Sequence, residues 1–144
     1  MGSVIGLWKE DLLIKELERK GVLSERLLEK FVLRYGKLFW RAIKAIEEKR
    51  IMKYIFKPSG KYLWVVVGKT RKYLVIPDFY CSCDDFYFNV VTRRKRQLCY
   101  HILARKIAEI LGLYETIYVS DTFYKNLLDE IKLYKIKKDK STVS

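Results

Sequence analysis

Apolar positions recur at helical spacing over the first third of the chain, at strand spacing in the middle, and at helical spacing again near the end. From Lys9 to Lys20, Leu12, Leu13 and Leu17 supply the apolar side of a helix that Gly21 closes as a C-cap. Ser24 is an N-cap for a second helix carrying Leu28, Phe31, Val32 and Tyr35. Gly36 breaks the run, and Phe39, Ala42, Ile43 and Ile46 continue the stripe beyond it. These residues read as core. At Ile51 the period changes: Ile51–Lys57 and Tyr62–Val67 are rich in β-branched and aromatic residues, and Pro58-Ser59-Gly60 makes the turn between them. A second turn, Gly68–Lys72, leads into Tyr73–Ile76 and a stop at Pro77. Three short strands with tight connections predict an antiparallel three-stranded meander.

Helical spacing returns with Leu98, Ile102, Ile107 and Leu111. A final helix opens at Val119-Ser120-Asp121, capped by Ser120 or Asp121, with a stripe of Tyr124, Leu127, Leu128, Ile131 and Tyr134. That stripe either completes the core or meets a partner. The polar tail from Lys137 to Ser144 is expected to fray. The predicted fold is α+β, one compact domain in three parts: helices over 1–50, the meander and a metal knuckle over 51–112, and a C-terminal helix with its tail over 113–144.

Composition narrows the class. At 144 residues, half of them apolar and a third charged, the chain suits one globular domain. No run approaches the roughly 18 apolar residues of a membrane span, and Met1–Trp8 lacks the basic start and apolar core of a secretory signal. An intracellular setting with reduced thiols is expected, since three cysteines cannot all pair. Scarce Asn and Gln beside abundant Lys, Glu and Ile fit a thermophilic source. The net charge is +13, of which +7 falls in residues 51–120. Such an excess suits an acidic partner, nucleic acid or an acidic protein face; the alternative is simply a basic thermophile surface.

The chemistry concentrates in one window. All three cysteines and the one histidine lie within 21 residues, as Cys81-Ser82-Cys83, a 15-residue gap, then Cys99-Tyr100-His101. Three cysteines and one histidine form a closed tetrahedral set for zinc, with no position left for a substrate water. The expected cofactor is therefore one structural Zn²⁺ held by Cys81, Cys83, Cys99 and His101. Residues two apart on an extended strand face the same side, which converges the first pair. The second pair sits where a helix begins, and its free amides favour thiolates. A Cys81–Cys83 disulfide would close a strained small ring and leave Cys99 and His101 without a role; buried free thiols beside an unrelated histidine are the remaining alternative.

This constellation resembles the SWIM zinc finger, C-x-C, a variable spacer, then C-x-H. Cys99-Tyr100-His101-Ile102-Leu103-Ala104 further resembles the extended C-x-H-x-x-A form of the SWIM-domain subunits of the Shu complex, and the likeness runs from about Tyr35 to the last helix. Pro58-Ser59-Gly60 before a Tyr/Val-rich strand, Phe86 and Phe88 after the second cysteine, and Val119-Ser120-Asp121 belong to the same likeness. It implies a non-enzymatic protein of homologous recombination and DNA repair, located in the nucleus in eukaryotic relatives and in the cytoplasm of a prokaryote. Its implied partner is a RecA-class recombinase paralogue, the pair helping a filament assemble on single-stranded DNA.

Other readings are weaker. Gly68-Lys69-Thr70 looks like the end of a P-loop, but the earlier glycine is replaced by Leu63, so no ATPase is expected. A zinc hydrolase would need an open coordination position and a general base. Arg93-Arg94-Lys95-Arg96, tethered between the ligand pairs, is a candidate nucleic-acid-binding run. Tyr80, Phe86, Tyr87, Phe88 and Tyr100 lie near it as stacking faces or as packing, with packing expected for Phe86 and Phe88. A stand-alone SWIM module for DNA binding in transcription or transposition is the runner-up.

Overall fold

The computed structural model describes residues 11–77, 80–95 and 98–143, with positions 133–143 described by backbone alone. The helix start expected at Lys9, the Met1–Trp8 segment, Arg96 and the Tyr134 side chain lie outside the described residues. Three helices come first: α1 (Leu12–Lys20), α2 (Glu25–Tyr35) and α3 (Lys37–Glu47). Gly21 closes α1 in the left-handed region, and the Ser24 hydroxyl accepts from the Leu27 amide 3.2 Å away at the start of α2. Gly36 separates α2 from α3 at φ 56°, ψ −125°, a conformation that costs a side chain dearly and glycine little. Asp11 caps α1 through Leu13 and also accepts from the Tyr35 hydroxyl at 2.6 Å, tying the first helix to the end of the second. Burial, followed by that bond to Asp11, pushes the Tyr35 phenol well above its usual range.

The sheet is larger than the sequence predicts. The expected meander is present as β1 (Ile51–Lys57), β2 (Tyr62–Val67) and β3 (Lys72–Ile76), paired antiparallel. Two further strands extend it: β4 (Tyr80–Cys81) antiparallel to β3, and β5 (Glu115–Ser120) parallel to β1. The order is β4-β3-β2-β1-β5, a five-stranded mixed sheet. The expectation that Val119-Ser120-Asp121 opens the last helix is thus corrected: Val119 and Ser120 end a strand, and the helix α5 (Thr122–Val143) begins just after them. The tail expected to fray from Lys137 continues α5 as helix to Val143.

Strand alternation sends side chains to opposite faces and so splits the core in two. On one face, Ile51, Trp64, Val66, Val75 and Cys81 pack against α1, α2, α3 and α4 (Tyr100–Leu111). On the other, Tyr54, Phe56 and Val65 pack against Leu127 and Ile131 of α5, with half-buried Ile117 and Val119 alongside. The stripe on α5 therefore completes the domain's own core. Asp121 clamps the Pro58-Ser59-Gly60 turn, its carboxylate accepting from the Ser59 amide at 3.0 Å and the Ser59 hydroxyl at 2.6 Å. That task takes Asp121 away from capping α5, and the Ser120 hydroxyl accepts from the Thr122 amide in its place. Among the described residues no helix is long and apolar enough to cross a membrane.

Candidate metal centre

The edge strand and the start of α4 bring the two ligand pairs together. Cys81 ends β4, registered against Val75 of β3. The next residue fixes the bend: buried Ser82 donates its amide to the Leu74 carbonyl at 3.0 Å and accepts the Leu74 amide on its hydroxyl at 2.9 Å. Its own carbonyl accepts from the Arg71 guanidinium at 2.8 Å. With every polar group of Ser82 tied to the hairpin, Cys81 and Cys83 are presented from a rigid edge. Sequence reasoning gave Ser82 no role, although a buried hydroxyl between two ligands is the kind of residue that satisfies a bent backbone.

Past Cys83 the chain coils at once. Phe86–Thr92 is a π-helical segment, and the Phe86 amide donates to the Cys83 sulfur at 3.3 Å. The second pair sits at the opening of α4, with Cys99 in extended conformation as N-cap and His101 in the first turn. Cys81, Cys83, Cys99 and His101 are all buried, and their ligand atoms lie within 4.8 Å of one another. The Cys99 Sγ to His101 Nδ1 separation is 3.8 Å. Ordinary zinc–sulfur and zinc–nitrogen bonds in a tetrahedron set ligand–ligand edges of roughly 3.5–3.8 Å, so the four donors surround a space of the right size.

Charge makes the same point. Burial pushes the Cys81 and Cys99 thiols up, while hydrogen bonds from Cys81 and Cys99 hold the Cys83 thiol far below its ordinary value. Three buried sulfurs this close oppose one another's ionisation, because a second negative charge among them has no partner. A divalent cation removes that restriction and lets all three sulfurs ionise. The donor set, its burial and its spacing fit one structural zinc ion.

Aromatic rings back the histidine. Tyr73 and Tyr100 lie 4.3 and 3.9 Å from the His101 ring between centroids. Each tyrosine also has a guanidinium over its ring, Arg71 over Tyr73 at 4.5 Å and Arg41 over Tyr100 at 4.3 Å. The metal-ligating ring thus sits in a cluster of two tyrosines and two guanidiniums, Arg41, Tyr100, Tyr73 and Arg71. Gly68 belongs to this arrangement, since a Cβ there would stand 2.7 Å from the Tyr73 ring. Ala104 is fully buried one turn beyond the ligands, among the side chains of the helical face.

The basic run is elsewhere. Arg93, Arg94 and Lys95 are exposed at the end of the π-helical segment and make no ion pair among the described residues. The spacer expected as a loop is thus largely helical. That geometry turns Phe86 and Val90 inward, with Phe86 against Tyr80 at 5.6 Å, and leaves Tyr87, Phe88 and Val91 exposed. The expectation that Phe88 packs inward is corrected: it is 47% exposed, edge-on to Tyr87.

A closed Cys₃His knuckle joining a sheet edge to a helix start, in the order C-x-C then C-x-H, is the site of a SWIM-type zinc finger. No protein-family model matches the chain. It is 30% identical over 122 residues to zinc finger SWIM domain-containing protein 7 homolog of Dictyostelium discoideum, covering 83% of this chain and 78% of that protein. It is 29% identical over 136 residues to zinc finger SWIM domain-containing protein 7 of Danio rerio (89% and 94%), and 28% identical over 110 residues to that of Homo sapiens (73% and 79%). The chain belongs to the zinc finger SWIM domain-containing protein 7 family.

Proposed function

We propose that this protein is a non-enzymatic, zinc-stabilised scaffold of homologous recombination and DNA repair. It pairs with a RecA-class recombinase paralogue and assists assembly on single-stranded DNA, as subunits of the Shu complex do. The observation that carries the reading is the buried knuckle of four metal donors in a chain of this family. Four protein donors fill the tetrahedron, so the metal has no open position to activate a water, and its work is to hold an edge strand against a helix. Exposed Tyr87, Phe88 and Val91 on the π-helical segment stand next to exposed Arg93, Arg94 and Lys95. Aromatic and basic side chains side by side on a metal-anchored element suit a partner interface. The location follows from the role, cytoplasmic in a prokaryote and nuclear in a eukaryote.

Affinity purification of the tagged full-length chain from its native cell tests this. Recovery of a RecA-class ATPase in near-stoichiometric amount is the expected result. Recovery of the chain alone, together with sequence-specific binding to duplex DNA, would replace the reading with that of an independent DNA-binding module.

A further inference from the structure

A second concave site lies beside the metal centre, away from the Arg93–Lys95 run. It is a cleft of about 470 Å³ between α3, the Gly68-Lys69-Thr70 turn and the first turn of α4. Arg41 and Lys44 come from α3, Arg50 from the connection just before β1, and Lys69 from the turn. Glu48 is the acidic residue lining it, and it lies 3.3 Å from the Arg50 guanidinium. Four cations against one carboxylate leave a net charge of +3 in a recess large enough for a nucleotide-sized group. Lys44 and Lys69 are exposed and make no ion pair among the described residues, so the excess is not neutralised from within. The turn that resembled a P-loop fragment in the sequence contributes to this recess as a basic rim.

The aromatic floor says what kind of anion fits. Tyr73 and Tyr100 line the cleft, and each ring already packs against His101 and has a guanidinium near it, Arg71 at Tyr73 and Arg41 at Tyr100. The cations around these rings outnumber the one carboxylate. Recognition runs through charge and the lysine donors at the rim, the chemistry of phosphate contact without base readout. A recess also admits one chain of phosphates more readily than the convex surface of a duplex.

From this geometry we infer that the cleft over the zinc site is a phosphodiester-binding groove for single-stranded nucleic acid, indifferent to base sequence. Its floor is held in place by the metal ligand His101 through that cluster of rings. The inference rests on the proposed role only in choosing nucleic acid over free phosphate, and the experiment below reads this chain's own binding, independently of any partner recovered with it.

The test is titration of the full-length, zinc-loaded protein against fluorescein-labelled oligo-dT and oligo-dA at several salt concentrations. Each phosphate contact on a single strand contributes about −0.7 to the slope of log K against log salt. K44A/K69A is expected to flatten that slope by about 1.4 and to weaken binding on the order of 25-fold at 0.1 M salt, equally for both sequences. K44R/K69R should restore both. Melting temperature and zinc content of the variants establish that the fold is intact, as expected for exposed lysines. An unchanged slope in K44A/K69A overturns the inference, whether or not R93A/R94A/K95A binds less. So does a wild-type preference for duplex of the same length. Displacement of the oligonucleotide by inorganic phosphate at matched ionic strength would make the cleft a free-phosphate site and would likewise overturn it.

Discussion

Replacing Cys99 by serine is expected to abolish zinc binding and to remove most of the domain's stability. Cys99 is fully buried and has two tasks, giving a sulfur to the metal and beginning α4. Serine keeps the start of the helix and nearly the same volume, so packing alone predicts a mild effect. The metal predicts otherwise. Apparent binding free energies of structural zinc are about 10–16 kcal/mol, whereas a whole domain is stable by only about 5–15 kcal/mol. Losing one of four ligands therefore draws on a quantity as large as the total. The edge strand β4 is two residues long; the Ser82 bonds hold it to β3, and the ion is what ties that edge to the start of α4. Thermal melting and elemental analysis of C99S check this; a variant that keeps its metal and melts like wild type contradicts it.

Trp64→Ala is expected to cost about 3–5 kcal/mol, the range for deleting a large buried aromatic. Trp64 sits in the central strand β2, 2% exposed, where the sheet meets the helical layer. Tyr114 meets it edge-on at 4.9 Å, and the Arg105 guanidinium lies over it at 5.2 Å. Arg105 is itself buried at 1% exposure and bridges to Glu109 at 2.9 Å along α4. Removing the indole takes away both a large volume and the electron-rich face beside a buried cation, and such charges are costly to leave with less company. Denaturant unfolding measures the loss. Because the four ligands come from β4, the residues just after it and the start of α4, and none from β2, the same variant at permissive temperature should retain its zinc. A cost under about 1 kcal/mol would mean that the sheet and the helical layer are held together some other way.

Much of this fold was legible because local signals and tertiary structure agree. Gly21 and Gly36 mark helix ends by positive-φ backbone that few other residues adopt, Ser24 marks one by its hydroxyl cap, and the boundaries of β1 and β2 follow from the change of period at Ile51. The four metal donors were legible for a different reason: the chain holds no other cysteine or histidine, so chemistry confined the site before geometry did. The strand β5 was not recognised, although Thr116, Ile117, Tyr118 and Val119 alternate outward and inward as strand residues do. Its partner β1 lies some sixty positions earlier and runs parallel to it, a long crossover that no local pattern discloses.

The spacer misled for another reason. A π-helical turn rotates successive side chains differently from an α-helix or a strand, so Phe86 and Phe88, which look equivalent in sequence, part company. The cluster around His101 could not be read from sequence at all. Arg41, Tyr73 and Arg71 come from α3 and the β2–β3 hairpin and meet Tyr100 and His101 only through the tertiary fold. One faint sign was present, the glycine at position 68, whose lack of a side chain lets Tyr73 approach.

The central claim, that one zinc ion joins the edge strand to α4, is met most directly by measuring the metal content of the purified full-length chain and its melting curve with and without a strong chelator. One zinc per chain is expected, with a large downward shift in melting temperature on chelation that adding zinc back reverses. A metal-free protein whose melting is indifferent to chelator would contradict it.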